Sequence, residues 1–282
     1  MTLQRKLIEA LDRPGLRPLL AGLATRYAKR KTGLDVQIFY DDAWMRRAGD
    51  CFLAESMTFD WNAAQIAGWK DGLVDFLDMY RDWWFYQYQP KGGDVVVDIG
   101  AGIGEDALLF SKSVGREGRV LSVEAHPTTF QLLQKTCQYN RLDNVTSVHC
   151  ALMDRAGTVH MENRAAYKGN TIAKSSAPSS SQSVEAWSLD ELCAQQGIEH
   201  IDFLKMNIEG AERLAIQGMQ RMIQHTRQLC IACHDFVGEQ SDFYRTKALV
   251  LDFVRANGFE VTVREEHPDL WVRDHVYGTR TT

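Results

Sequence analysis

A glycine-rich turn is the stretch of this chain whose residue types are best suited to hold a ligand. Residues 94–105 read DVVVDIGAGIGE, so an apolar run ends at Asp98 and Ile99. Four small residues follow in the turn, at Gly100, Ala101, Gly102 and Gly104. Glycines at a strand-to-helix turn let backbone N–H groups approach a ligand closely. Glu124 ends the next apolar run, where its carboxylate can accept from two ribose hydroxyls. The pattern predicts a ligand that contains a nucleoside.

The spacing of the glycines separates two classes of ligand. A dinucleotide site needs G-x-G-x-x-G, but the sixth position counted from Gly100 is Glu105, so a pyrophosphate would meet a carboxylate. The spacing D-x-G-x-G-x-G suits S-adenosylmethionine, which has no phosphate. The turn would hold its amino-acid end, and Asp98 would accept from its ammonium directly or through water. We therefore expect S-adenosylmethionine, with a nicotinamide cofactor as the alternative.

The adenine is expected beyond the third strand of the predicted sheet. Backbone groups of Ala151 and Leu152 would contact the base edge, with Ala125 nearby and the Asp154 carboxylate as a further contact. Asp154 can equally be a turn residue before Gly157.

Three side chains are placed to act on an acceptor. Reactants bind outside the carboxyl ends of parallel strands, and Asn207, Glu209 and His234 follow two apolar runs at that edge. His234 is the predicted base, because an ordinary histidine titrates near neutral pH. A structural hydrogen bond at the strand end is its alternative role, and Glu209 either takes part in catalysis or caps a helix. Glu212 is expected to be structural.

His234 also ends the pattern Cys230-x-x-Cys233-His234, which resembles a haem-attachment signature, half a zinc site or a redox pair. The run lies in a predicted strand, where side chains three positions apart point to opposite faces. The two cysteines are therefore predicted to be buried apolar residues, and we predict no metal site.

Strands and helices alternate from residue 91 onward, which predicts a doubly wound α/β sheet. The predicted strands are 95–99, 119–124, 145–151, 158–162, 201–208, 228–234, 259–264 and 270–277. The predicted helices are 104–114, 128–140, 189–196, 210–224 and 241–257. We expect a Rossmann-like, mostly parallel sheet of seven strands with an antiparallel last strand. The ligand-binding domain would span 91–282, with an insertion at 155–185 whose Ser-rich loop is either a flap over the site or a tolerated loop.

Residues 1–90 are predicted to form a helical, aromatic-rich extension that covers the substrate or forms a dimer surface. Part of the aromatic run from Tyr80 to Tyr88 would then cover a ligand. Leucines share helical faces on both sides of Pro14-Gly15. This basic segment could contact a membrane surface or pack its leucines on the main domain.

The distribution of charge along the chain indicates which kinds of molecule the protein can bind. Residues 1–31 carry eight basic and two acidic side chains, a net charge of +6. The whole chain carries −5, so residues 32–282 carry −11. An acidic body argues against nucleic-acid binding. The start of the chain lacks the apolar stretch of a signal peptide, so we expect a cytoplasmic protein with reduced cysteines.

Several motifs in order resemble the FkbM-type S-adenosylmethionine-dependent methyltransferases. They are GDVVVDIGAGIGEDALLFSK, VLSVEAHP, CALMDRAGTVHM, SLDEL and IDFLKMNIEGAE, within about residues 91–265. The resemblance implies a class I methyltransferase fold and methyl transfer, mostly to hydroxyl oxygens of sugars and polyketide-like natural products, and in some members to carboxylates. The family has Asp where this chain has Asn207, which argues against a divalent-metal mechanism because Asn only donates and accepts hydrogen bonds.

The expected function is therefore O-methylation of a small-molecule or glycan acceptor. A nicotinamide-dependent oxidoreductase and a non-catalytic binding protein of the same fold are the alternatives. Residues 40–90 and 155–185 are expected to select the acceptor.

Overall fold

The computed structural model describes residues 10–59, 73–162 and 181–281. Its helices are α1 (Arg17–Thr32), α2 (Leu73–Trp84), α3 (Glu105–Val114), α4 (Pro127–Asn140), α5 (Leu189–Gln195), α6 (Glu212–Ala215) and α7 (Lys247–Ala256). Its first strands are β1 (Val36–Tyr40), β2 (Trp44–Ala48), β3 (Cys51–Ser56), β4 (Val95–Ile99), β5 (Arg119–Glu124), β6 (Val145–His149) and β7 (Ala151–Leu152). The later strands are β8 (Gly157–Glu162), β9 (Ser181–Trp187), β10 (Ile201–Met206), β11 (Thr226–Ala232), β12 (Phe259–Thr262) and β13 (His275–Arg280).

A seven-stranded sheet forms the centre, in the order β12-β13-β11-β10-β4-β5-β6. The pairs from β11 to β6 are parallel, whereas β13 runs antiparallel to both β11 and β12. Strand β10 is buried along its whole length, as expected for a strand covered on both faces. The predicted mostly parallel sheet with an antiparallel last strand is confirmed.

The helix starts place the loops of the site at one edge of this sheet. Gly104, in the left-handed region, precedes α3, whose first turn contains two acidic residues that favour the helix dipole. The His126 side chain accepts from the Thr129 N–H at the start of α4, and Pro127 is its first residue. Ser188 and Glu191 form a capping box at the start of α5.

The N-terminal region differs from its prediction. Strands β1, β2 and β3 form an antiparallel sheet, so the prediction of a helical extension is wrong for residues 36–56. Tight turns at Asp42 and Gly49, both at positive φ, connect these strands. Polar groups of α4 hydrogen-bond the β3 backbone: Asn140 Oδ1 accepts from Phe52 N (2.9 Å) and Thr136 Oγ1 from Ala54 N (3.0 Å). Long-range contacts with α4 thus stabilise a strand that local pattern does not reveal.

The bounds of several other elements also differ from those predicted. The predicted helix at 210–224 is only α6, followed by two short 3₁₀ turns. Gly218 lies there, where an added Cβ would be 2.1 Å from the Met153 carbonyl oxygen, so close tertiary packing sets this path. The predicted strand at 158–162 is β8, which pairs with β9. Most of the predicted Ser-rich loop, residues 175–180, lies outside the described residues, and its last three residues belong to β9.

The two cysteines of the Cys-x-x-Cys-His run lie on opposite faces of the sheet. Cys230 packs in the cluster that contains Trp84 and Phe203, and Cys233 packs in the cluster on the other face. Both are buried and free, and burial raises both thiol pKa values well above the usual range. The prediction that they are buried apolar residues is confirmed.

Candidate active site

A cavity of about 370 Å³ opens at the carboxyl edge of the central sheet. Its walls come from the loop after β4, the ends of β5 and β7, the segments after β10 and β11, and aromatic residues of α2. Ten of the predicted site residues line it: Gly100, Ala101, Gly102, Glu124, Ala125, Ala151, Leu152, Asn207, Glu209 and His234. The other three predicted site residues, Asp98, Gly104 and Asp154, do not line the cavity. One cavity therefore collects predicted site residues from five separate segments of the sequence.

The glycine turn is held tightly against two strands. The N–H groups of Gly100 and Ala101 both donate to the Val123 carbonyl at 2.9 and 3.0 Å. Gly100 has φ +77°, and an added Cβ would lie 2.0 Å from the Asn207 carbonyl oxygen. Only glycine fits here, for both backbone conformation and space.

Glu124 is bound into the same turn. Its Oε2 accepts from Gly102 N at 2.9 Å and its Oε1 from His126 N at 2.8 Å. Burial raises the pKa of this carboxyl to about 7, although these two N–H groups act in the opposite direction. The carboxylate is thus fixed against the cavity wall where the sequence predicts ribose binding.

Asp98 has a different partner from the predicted one. It is fully buried, and its Oδ1 accepts from Lys205 Nζ at 2.9 Å, while Ser122 Oγ lies 3.4 Å from its Oδ2. Lys205 also lies 2.9 Å from Asp106 Oδ2 and donates to the Gly100 carbonyl at 2.8 Å. Asp98 therefore does not itself line the cavity, and Lys205 connects it to the glycine turn.

This buried ion cluster was missed by sequence reasoning, although a signal existed. Lys205 is the one charged residue between apolar neighbours in FLKM, within the strand predicted at 201–208 of a doubly wound sheet. A charge there requires a partner of opposite sign. Trp84 extends the cluster, since its Nε1 donates to Asp106 Oδ1 at 2.8 Å and its ring stacks on His275.

Asn207 lines the cavity and carries an unused acceptor. Its backbone N–H donates to the Ile99 carbonyl at 2.9 Å. Its side-chain Oδ1 is buried and has no hydrogen-bond partner among the described residues. A buried acceptor without a partner costs free energy, so this oxygen is suited to a donor supplied by a ligand.

Glu209 and His234 lie together in the wall of the cavity. His234 Nε2 is 3.4 Å from Glu209 Oε2, and its Nδ1 is 3.4 Å from Glu212 Oε1. Glu209 has φ +55°, an uncommon conformation for a residue other than glycine, and does not start a helix. Glu212, for which a structural role was predicted, is fully buried and accepts from Ile208 N and Thr246 Oγ1.

The surroundings of His234 raise its pKa and so bear on its predicted role as the base. Burial alone would lower its pKa, but the two carboxylates raise it to about 10. Near neutral pH the imidazole already holds its second proton and cannot accept another. The sequence could not show this, because the pKa depends on carboxylates that only the fold brings together.

Aromatic side chains form the remaining wall. Tyr80, Trp83, Trp271 and Phe236 line the cavity, and the rings of Trp83 and Trp271 meet edge to face at 4.4 Å. The Phe236 ring lies 5.9 Å from that of His234. The prediction that part of the run from Tyr80 to Tyr88 reaches the site agrees with this lining.

The sheet order, the glycine turn after β4 and the acid that ends β5 define the class I methyltransferase fold. The sequence pattern of the Methyltransferase FkbM domain matches residues 98–261, more than half of the chain. The chain belongs to the FkbM methyltransferase family, for which S-adenosylmethionine is the expected cofactor.

Solved structures of methyltransferases are similar to this chain. Methyltransferase FkbM from Methylobacillus flagellatus KT is 19% identical with a TM-score of 0.48, over 66% of this chain and 43% of that one. This chain thus spans less than half of that protein's length. Aeropyrum pernix fibrillarin in complex with S-adenosylmethionine is 14% identical (TM-score 0.44; 87% and 98% covered). A putative O-methyltransferase from Klebsiella pneumoniae is 11% identical (TM-score 0.42; 99% and 100% covered). No curated protein matches the chain significantly.

Proposed function

We propose that this methyltransferase transfers the methyl group of S-adenosylmethionine to a hydroxyl oxygen of a small-molecule or glycan acceptor, with Glu209 as the proton acceptor. The observation that carries the proposal is the position of Glu209, whose side chain is 31% exposed and lines the same cavity as the glycine turn and Glu124.

The residues present fit the cofactor. Gly100, Ala101 and Gly102 would hold its amino-acid end, Glu124 its ribose hydroxyls, and the segment 150–152 its adenine. Asn207 Oδ1, the buried acceptor without a partner, would accept from its ammonium. In this proposal Asn207 binds the cofactor, whereas the sequence pattern placed it among the residues that act on the acceptor. When bound, the cofactor supplies a methyl group already activated by a sulfonium.

The protein's task is then to orient the acceptor and remove its proton. His234 is already protonated, so it serves as a fixed positive charge that holds the Glu209 carboxylate in place. A hydroxyl of the acceptor would donate to Glu209, and its proton would pass to that carboxylate as the new bond forms.

The aromatic wall supports a ring-shaped, hydroxylated acceptor. Tyr80, Trp83 and Trp271 offer flat apolar faces, while Glu209 offers an acceptor for hydroxyls. A sugar ring or an oxygenated natural product has both an apolar face and hydroxyl groups.

Calorimetry with S-adenosylhomocysteine tests the cofactor site. Native protein is expected to bind it, and Glu124→Gln and Asn207→Leu each to lower affinity about tenfold or more, because each removes a hydrogen bond to a ligand group. The exposed Glu199→Gln is the control and should bind normally. Failure of the native protein to bind, or unchanged affinity in both site variants, would contradict the assignment.

A panel of acceptors tests the reaction, with S-adenosylhomocysteine release as the readout. Sugars and natural products with free hydroxyls are expected to be methylated. If only carboxylic acids are methylated, the proposal of a hydroxyl acceptor is wrong. A carboxylate is already deprotonated near neutral pH, so Glu209 would then not be needed as a base. Cofactor binding without turnover on any acceptor would favour the non-catalytic alternative.

A further inference from the structure

Helix α1 has two apolar faces, and only one of them packs on the protein. Leu20, Ala21, Ala24 and Ala28 are buried, and Thr25 Oγ1 both donates to and accepts from the Ile38 backbone of β1. This face attaches the helix to the N-terminal sheet. This side sets the position of the helix, and a neighbouring side faces solvent.

The second apolar face is exposed. Leu16, Leu19, Leu23 and Tyr27 have 42%, 55%, 47% and 40% of their surface exposed. Their spacings of three, four and four residues place them in one row along the helix. In the part of the chain that the structure describes, the other large exposed apolar residues are scattered over different elements. A contiguous exposed apolar row marks an interaction surface, whereas single residues do not.

Basic side chains cluster at one end of this row. Arg26, Lys29, Arg30 and Lys31 are exposed at the C-terminal end of α1, and the helix contains no acidic residue. Lys29 pairs with Asp35 at 3.0 Å, whereas Arg26 and Arg30 make no ion pair within the described residues. The chain beyond residue 31 carries −11. Positive charge is thus concentrated where the leucines are exposed.

We propose that this face of α1, the row Leu16-Leu19-Leu23-Tyr27 with Arg26 and Arg30, docks the protein on an anionic lipid bilayer. The leucines and the tyrosine ring would enter the boundary between headgroups and acyl chains, while the arginines contact lipid phosphates. A second copy is a poorer occupant, because the same face of its helix contains no acidic residue that could pair with the arginines. The membrane supplies the opposite charge and an apolar layer at once.

Vesicle flotation tests the proposal with the full chain. Native protein is expected to float with phosphatidylcholine vesicles that contain phosphatidylserine, and to bind pure phosphatidylcholine vesicles at least about tenfold more weakly, because the arginines lose their counter-charge. Leu23→Glu should reduce binding about tenfold or more. Leu249→Glu is the matched control, since Leu249 is also on a helix and is 45% exposed, and its binding should equal that of the native protein.

Three results would overturn the proposal. The first is native protein that does not float with anionic vesicles, and the second is Leu23→Glu that binds as well as Leu249→Glu. The third is a dimer in sedimentation velocity that Leu23→Glu dissociates while vesicle binding is absent, which would assign the row to a second copy. Circular dichroism of each variant confirms that the fold is retained.

Discussion

The Nζ atom of Lys205 lies 2.9 Å from Oδ1 of Asp98 in the centre of the sheet, and neither side chain is exposed. The same ammonium lies 2.9 Å from Asp106 and donates to the Gly100 carbonyl. Two carboxylates, one cation and the glycine turn therefore form one buried unit beneath the proposed cofactor site. Burial raises the pKa of Asp98 above its usual range, and the charge of Lys205 opposes that shift.

Lys205→Met should strongly destabilise the fold. It removes the cation between two buried carboxylates, a change that costs about 3–5 kcal/mol in buried pairs. Lys29→Met is the matched control, since Lys29 pairs with Asp35 at 3.0 Å but both side chains are exposed. The control should change the free energy of unfolding in urea by less than about 1 kcal/mol. Equal effects of the two substitutions would contradict the importance of the buried cluster.

Gly100→Ala should impair cofactor binding by a steric clash, in addition to the backbone strain of a positive φ. The new Cβ would lie 2.0 Å from the Asn207 carbonyl oxygen, so the segment after β10 must move. Gly93→Ala has a comparable φ of +89° but no atom within 4 Å of its Cβ, so it isolates the backbone strain. We expect a loss of about 1–3 kcal/mol of stability for Gly93→Ala and normal binding of S-adenosylhomocysteine. Gly100→Ala should lose that binding, as measured by calorimetry. Normal binding in Gly100→Ala would show that the turn tolerates the movement.

Glu209→Gln should lower kcat by about 10²–10⁴-fold with a hydroxyl acceptor, because the proton acceptor is removed. Binding of S-adenosylhomocysteine should stay unchanged, since Glu209 is not part of the proposed cofactor contacts. Glu239→Gln, an exposed carboxylate near His234 in sequence, should retain full activity. A Glu209→Gln enzyme with native kcat would rule out Glu209 as the base.

Stability should depend on pH through His234. Its folded pKa of about 10 lies above the ordinary value of 6.5, so the protonated imidazole stabilises the folded state fully below about pH 6.5. As pH rises from 6.5 to 10 the unfolded chain releases the proton first, and a stabilisation of a few kcal/mol is lost. Urea unfolding across this range should show the decline.

His234→Gln should remove most of that decline, and it should also lower stability near neutral pH because Glu212 stays buried without a cation. The exposed His225→Gln should keep the native pH dependence. If the free energy of unfolding of the native protein stays constant between about pH 7 and pH 9, His234 is not held protonated by Glu209 and Glu212.

Much of the fold could be predicted because its signals are local. Apolar runs such as Val95–Ile99, separated by helical segments, predict a parallel sheet. The antiparallel pairing of the final two strands was also predicted correctly, but the last strand is His275–Arg280 and not 270–277. Strands β1–β3 were missed, because contacts with α4 that are remote in sequence stabilise them. Packing also shortened the helix predicted at 210–224, since Gly218 contacts the backbone of Met153.

The sequence by itself determined the glycine turn, the acid at Glu124 and the family motifs, because glycine conformation and strand-end position follow from residue type and local order. Only the tertiary structure decided which charges meet. It pairs Asp98 with Lys205, leaves Asn207 Oδ1 without a partner among the described residues, and places His234 between Glu209 and Glu212. The physical reason is that ion pairing and pKa depend on distance and burial, which a linear order of residues does not contain.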